Sequence, residues 1–211
     1  MEILVEDDPA RVVAERLASA SGHVVLTGGS SPRRAYELAQ PDWSDSEIWW
    51  SDERCVSPVD DLSNYKLVQE TLLDRVTPRA VHRMRGELGR DAGADAYEQE
   101  LSAVDRFDFV LLGLGPDGHV ASLFPDEPTL DETERRAIGT EAKLEPFVDR
   151  ITLTLPALCT ARTVVFLVTG GGKANAVRRA FHDQPSRATP GSLVRGEETI
   201  VVLDAAAAAL L

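Results

Sequence analysis

His119 and Asp117 stand two residues apart in the glycine-rich turn Gly113-Leu114-Gly115-Pro116-Asp117-Gly118-His119, directly after the apolar run Phe107–Leu112. An imidazole beside a carboxylate suits general-base chemistry. With a reference pKa of about 6.5 a free imidazole is mostly neutral at pH 7 and can accept a proton. A continuous apolar run of this length fits a central parallel strand covered on both faces, and in such sheets ligands bind beyond the carboxyl ends of the strands. The other histidines are His23, His82 and His182. A histidine picked at random is more often structural, but the glycines around His119 and the Ala121-Ser122 that follow favour exposure in a cleft.

Other segments can hold an anion. Thr27-Gly28-Gly29-Ser30-Ser31-Pro32 closes an apolar run and opens a helical pattern. Glycines let backbone N–H groups approach a phosphate, the helix start adds partial positive charge, and Ser30 or Ser31 adds a hydroxyl. A serine-capped turn explains the same residues equally well. Thr169-Gly170-Gly171-Gly172-Lys173 resembles the end of a nucleotide P-loop, but Leu167 stands where the leading glycine belongs and Ala174 where the Ser or Thr belongs. A lysine at a helix start is unfavourable to the helix dipole and makes better sense facing a bound anion. Asp52, Glu53 and Arg54 follow a third apolar run, and Arg150 offers a bidentate fork to phosphate at the start of another. Ser122 lacks the G-x-S-x-G elbow of a nucleophilic serine. No H-E-x-x-H or C-x-x-C spacing occurs, so metal-free chemistry without a cofactor is expected. Gly113, Gly115 and Gly118 satisfy the G-x-G-x-x-G spacing of dinucleotide sites, yet Asp117 would place a carboxylate where a pyrophosphate sits, and Pro125 and Pro128 leave no room for the long helix required.

Positioning these groups requires an alternating architecture. Strands are predicted at Ile3–Val5, His23–Thr27, Glu47–Trp50, Phe107–Leu112, Ile151–Leu155, Val164–Thr169 and Thr199–Leu203. Helices are predicted at Pro9–Ser19, Ser31–Ala39, Ser63–Asp74, Ala92–Val104, Lys173–Phe181 and Asp204–Leu210, the last capped by Asp204. The alternation implies an α/β fold, a mostly parallel sheet with helices on both faces. Residues 126–149 break the rhythm as a polar, acidic surface excursion with room for one short strand.

A chain of 211 residues is expected to form a single domain, residues 1–211. Its 43% apolar and 27% charged residues are ordinary for a globular protein. The acidic start MEILVEDDPA is unlike a secretory signal, and Cys55 and Cys159 are too few for a disulfide framework, so a cytoplasmic protein is expected. A net charge of −13 disfavours nucleic acid and anionic membrane as partners. Lysines are only Lys66, Lys143 and Lys173, so cations gathered at one site stand out.

Taken in order, LTGGSSPRRAYELA from Leu26, SDERCVSPVDDLSNY from Ser51, FDFVLLGLGPDGHVASLFP from Phe107, RITLTLPALCTARTVVFLVTGGGKANAV from Arg150 and PGSLVRG from Pro190 resemble the 6-phosphogluconolactonases, within the wider family that includes the glucosamine-6-phosphate isomerases and deaminases. The resemblance implies a Rossmann-like three-layer α/β fold and hydrolysis of 6-phospho-D-glucono-1,5-lactone in the oxidative pentose phosphate pathway. Carried over by position, Gly28, Gly29 and Ser30 would cradle the 6-phosphate with Arg150 and Lys173. His119 would activate water and Asp117 would orient its ring. Arg54 would hold the lactone end or stabilise the oxyanion, and Asp52 would position sugar hydroxyls or Arg54. The partner implied is a sugar phosphate lactone, the protein being a monomer or weak homodimer. The isomerases carry an acidic residue just before the proline that ends the third motif; Phe124 occupies that position here and favours the lactonase branch. A non-catalytic sugar-phosphate sensor would keep the cradle, but it would not need Asp117 and His119. Ser57, between Val56 and Pro58, departs from the family pattern at the substrate rim.

Overall fold

The computed structural model describes residues 1–211. In chain order the elements are β1 (Glu2–Val5), α1 (Pro9–Ser19), β2 (His23–Leu26), α2 (Ser30–Leu38), β3 (Glu47–Trp50), β4 (Asp52–Arg54), α3 (Asn64–Thr71), β5 (Ala80–Val81) and α4 (Arg90–Leu101). They continue with β6 (Phe109–Leu112), β7 (Ala137–Thr140), β8 (Arg150–Leu153), α5 (Leu155–Cys159), β9 (Thr163–Val168), α6 (Ala174–Phe181) and β10 (Glu198–Leu203). Seven strands pair in parallel in the order β1-β10-β9-β6-β2-β3-β5. All four residues of β6 are buried, which agrees with the continuous apolar run and with its place fourth of seven.

The strand order reverses between β2 and β6. From β2 the chain proceeds outward to β3 and β5, and from β6 it proceeds the other way to β9 and β10. Loops leaving β2 and β6 therefore diverge and open a crevice at the carboxyl end of the sheet, the usual place for a ligand in an open α/β fold. Helix α1 illustrates how local sequence builds the walls: Asp8 caps it by accepting from the Arg11 N–H, Pro9 starts it, and Val13, Ala14 and Leu17 form its buried stripe.

A second sheet, antiparallel in the order β4-β8-β7, stands beside the first. The strand predicted at Ile151–Leu155 belongs to this sheet as β8, and Thr154 and Pro156 instead start α5. The excursion 126–149 contains one short strand, β7, whose Ala137 is fully buried and which packs on α4. Asp204–Leu210 is not a helix. It forms successive turns with a single i→i+4 bond from Ala208 N–H to the Asp204 carbonyl, because so short a run does not offset the cost of helix nucleation. The Asp204 carboxylate accepts from Ala207 N–H as a cap would, but also from Gly170 N–H. No helix is long and apolar enough to cross a membrane.

Candidate active site

Eight of the side chains and glycines singled out from the sequence, Gly28, Gly29, Ser30, Asp52, Arg54, His119, Arg150 and Lys173, line one cavity of about 190 Å³ in the crevice between β2 and β6. Asp117 stands behind His119, its carboxylate Oδ1 2.6 Å from the ring Nδ1 and 3.1 Å from the His119 backbone N–H that donates to it. Burial works against ionisation of Asp117, but the hydrogen bond and charge of His119 together outweigh it and hold the carboxyl below the usual range. An ionised carboxylate only accepts, so Nδ1 carries a hydrogen and Nε2 is left at the cavity without a protein partner. The ring packs on the buried side chain of Phe124, centroids 5.1 Å apart.

The glycine spacing around this pair serves the pair itself. A Cβ at Gly115 would fall 2.0 Å from His119 Nδ1 and 2.6 Å from Asp117 Oδ1, and Gly118 has φ +101° with Thr189 against it. The turn is shaped around an imidazole and a carboxylate, not around a dinucleotide.

Three cations, Arg54, Arg150 and Lys173, reach the cavity beside the Asp52 carboxylate without forming an ion pair with any carboxylate. Arg54 and Arg150 lie directly opposite each other on β4 and β8, an arrangement of like charges that is unfavourable until an anion arrives. Arg150 is buried, which lowers its pKa, and its Nε and Nη2 donate to the carbonyls of Val148 and Pro146. Lys173 donates through Nζ to the Leu114 carbonyl at 2.8 Å; burial depresses its pKa and the charge of Asp117 partly offsets this. In a chain of net charge −13, cations held on neutral acceptors keep their field for a ligand.

The two glycine loops divide unequally. Gly29, at φ +99° with open space around it, precedes α2, whose first turn has no side-chain cap, so its N–H groups remain for an anion. Ser30 and Ser31 both line the cavity, but Ser31 is engaged with Thr169 at 3.1 Å, which leaves Ser30 as the serine hydroxyl open to a ligand. The second loop contributes Lys173 alone, since Gly170 N–H donates to Asp204 and none of Gly170, Gly171 and Gly172 lines the cavity.

Asp52 and Glu53 are buried, not the solvated turn that three successive charges also suggest. Glu53 accepts from Ser63 Oγ and from the backbone N–H groups of Arg54, Asn64 and Tyr65, fixing the start of α3; burial raises its pKa and these bonds oppose the rise. Asp52 accepts from Ser51 Oγ at 3.1 Å and Ser122 Oγ at 2.7 Å, so the Ser122 hydroxyl is committed and fully buried. Sequence reasoning missed Asn64, which joins Asp52 to Arg54; its only signal was its place at the end of the second motif. No group of three His, Cys, Asp or Glu side chains is gathered as a metal would require.

Residues 5–202 match the family described as glucosamine-6-phosphate isomerases/6-phosphogluconolactonase. The chain is 40% identical to a 6-phosphogluconolactonase of Streptomyces coelicolor, covering 100% of this chain and 91% of that protein. It is 41% identical to one of Mycobacterium leprae over 88% and 83% of the two chains. Among solved structures it is similar to 6-phosphogluconolactonase from Thermotoga maritima, with 33% identity, TM-score 0.85 and coverage of 96% and 98%. A monomeric glucosamine-6-phosphate deaminase shares the fold at 18% identity, with TM-score 0.86 and full coverage of both chains.

Proposed function

The chain belongs to the glucosamine-6-phosphate isomerase/6-phosphogluconolactonase family, and from that premise we propose that it is a 6-phosphogluconolactonase, hydrolysing 6-phospho-D-glucono-1,5-lactone to 6-phosphogluconate. The observation that carries this reading is an imidazole with Nδ1 on an ionised carboxylate and Nε2 free, in a cavity shared with three cations that form no ion pair with a carboxylate.

His119 Nε2 takes a proton from water as the oxygen attacks the lactone carbonyl. Negative charge then develops on the carbonyl oxygen and is stabilised by Arg54. As the ring C–O bond breaks, His119 returns its proton to the leaving oxygen, which becomes the sugar hydroxyl, and the new carboxylic acid ionises. Asp117 holds the ring in its tautomer and favours the transient imidazolium. Gly28, Gly29, Ser30, Arg150 and Lys173 hold the 6-phosphate, and that remote binding energy fixes the reacting carbonyl near His119. A δ-lactone is an activated ester, so these groups suffice without a covalent nucleophile, consistent with the commitment of Ser122 to Asp52. One copy of the chain supplies every group named, so a single domain acting as a monomer or weak homodimer is the assembly proposed, and the free Cys55 and Cys159 suit a reducing, cytoplasmic setting.

The test is a coupled assay with freshly generated 6-phosphogluconolactone beside its unphosphorylated analogue. Strong preference for the phosphorylated ring is expected; equal turnover of both would sink the phosphate assignment. Release of ammonia from glucosamine 6-phosphate would move the protein to the other branch, against the hydrocarbon that Phe124 sets on His119.

A further inference from the structure

We propose that Asn64 is a positioning residue that holds Arg54 in its working orientation and ties it, through Asp52, to the turn carrying His119. The inference rests on the lactonase reading and deepens it. Arg54 Nη1 donates to Asn64 Oδ1 at 2.6 Å and to the Leu62 carbonyl at 2.8 Å. The Asn64 amide nitrogen donates to the Asp52 carbonyl at 2.8 Å and reaches Asp52 Oδ1 at 3.3 Å. Asp52 Oδ2 in turn accepts from Ser122, three residues beyond His119. Asp52, Asn64 and Ser122 are all buried, and Asp52 and Asn64 line the cavity, so the chain of bonds forms part of its floor.

Chemistry permits only one orientation of this amide. Turned round, its NH₂ would face the Arg54 donor and its oxygen the Asp52 carbonyl. The clamp occupies Nη1 alone, leaving Nη2 for a substrate oxygen, while Nε is buried without a partner and anchors nothing. Gly28 is shaped by the same contact: a Cβ there would fall 1.8 Å from Asn64 Oδ1. The glycine of the phosphate loop therefore also makes room for the residue that aims Arg54. Arg54 directly faces Arg150 on β8, and with the Leu62 carbonyl as the one acceptor left on Nη1 their mutual repulsion would turn the guanidinium away from the cavity.

A double-mutant cycle on kcat/KM for the phosphorylated lactone tests this. Asn64→Ala is expected to lower kcat/KM about 10- to 100-fold in the wild-type background. In an Arg54→Ala background its further loss should be under about 3-fold, because the group it positions is gone. The start of α3 should survive, since Glu53 holds it through backbone N–H groups that the substitution leaves in place. Equal losses in both backgrounds would overturn the inference and leave the lactonase reading standing, whereas a wild-type protein that does not hydrolyse the lactone would defeat that reading itself. If Asn64→Ala does not melt cooperatively, Asn64→Ser is run through the same cycle. Failure of both to fold overturns the proposal, making Asn64 a structural clamp.

Discussion

Two histidines in this molecule are each bonded to carboxylates and are almost equally exposed, His119 with 23% and His82 with 25% of its side chain accessible. His82 lies at the β5 edge of the sheet, stacked on Trp49 at 3.9 Å, with Nδ1 3.0 Å from Glu100 and Nε2 3.1 Å from Glu47. Both of its nitrogens face carboxylates, so no lone pair is offered to solvent and the ring acts as a strut between β3 and α4. His119 gives only Nδ1 to a carboxylate, and its other nitrogen opens onto a cavity rimmed by cations. Neither exposure nor a carboxylate partner distinguishes a base from a strut. The free nitrogen and the field around it do.

Four experiments press on that contrast. His119→Ala should cost about two to four orders of magnitude in kcat while melting like wild type; near-normal turnover would erase the difference between the two rings. Asp117→Asn should cost about one to three orders of magnitude in kcat, because its amide oxygen still accepts from the ring and backbone N–H groups but no negative charge remains to stabilise the imidazolium that forms as His119 takes the proton. His82→Ala should leave kcat close to wild type but destabilise the fold by about 1–3 kcal/mol through lost stacking and hydrogen bonds, read as a lower Tm. A His82 variant with impaired catalysis at unchanged Tm would contradict the strut. The smallest effect concerns acid. The Asp117 carboxyl is held below its usual range, so its stabilisation is complete above the unfolded value near 3.9 and is lost as pH falls through the lower folded value. The Tm gap between wild type and Asp117→Asn should therefore narrow between about pH 5 and pH 2; a constant gap would mean that the dyad is not coupled in the folded state.

Much of the architecture was legible in the chain. Helix α1 runs over the predicted residues, and β3 likewise, because Asp8 and Pro9 start the helix and an apolar run ending in Trp50 marks the strand. The dyad was legible for a local reason, two groups two residues apart in one glycine turn. What escaped the reading was non-local or too short. Strand β4 is three residues long, β5 two, and neither length carries a period. The alanine-rich tail reads as helix by propensity but makes turns, since propensity alone does not nucleate so short a segment.

By itself the sequence determined the alternating α/β scaffold, the strand ends that carry the site and the presence of an imidazole–carboxylate pair, all of which follow from periodicity and near-neighbour spacing. Only the tertiary structure decided that Arg54 faces Arg150, that Asn64 grips Arg54 beneath Gly28, and that Ser122 serves Asp52. Those contacts join residues from 10 to 96 positions apart, Asn64 with Arg54 and Arg150 with Arg54 being the extremes. Hydrogen-bond geometry across separate strands and loops is set by how the sheets pack, and no local pattern along the chain encodes it.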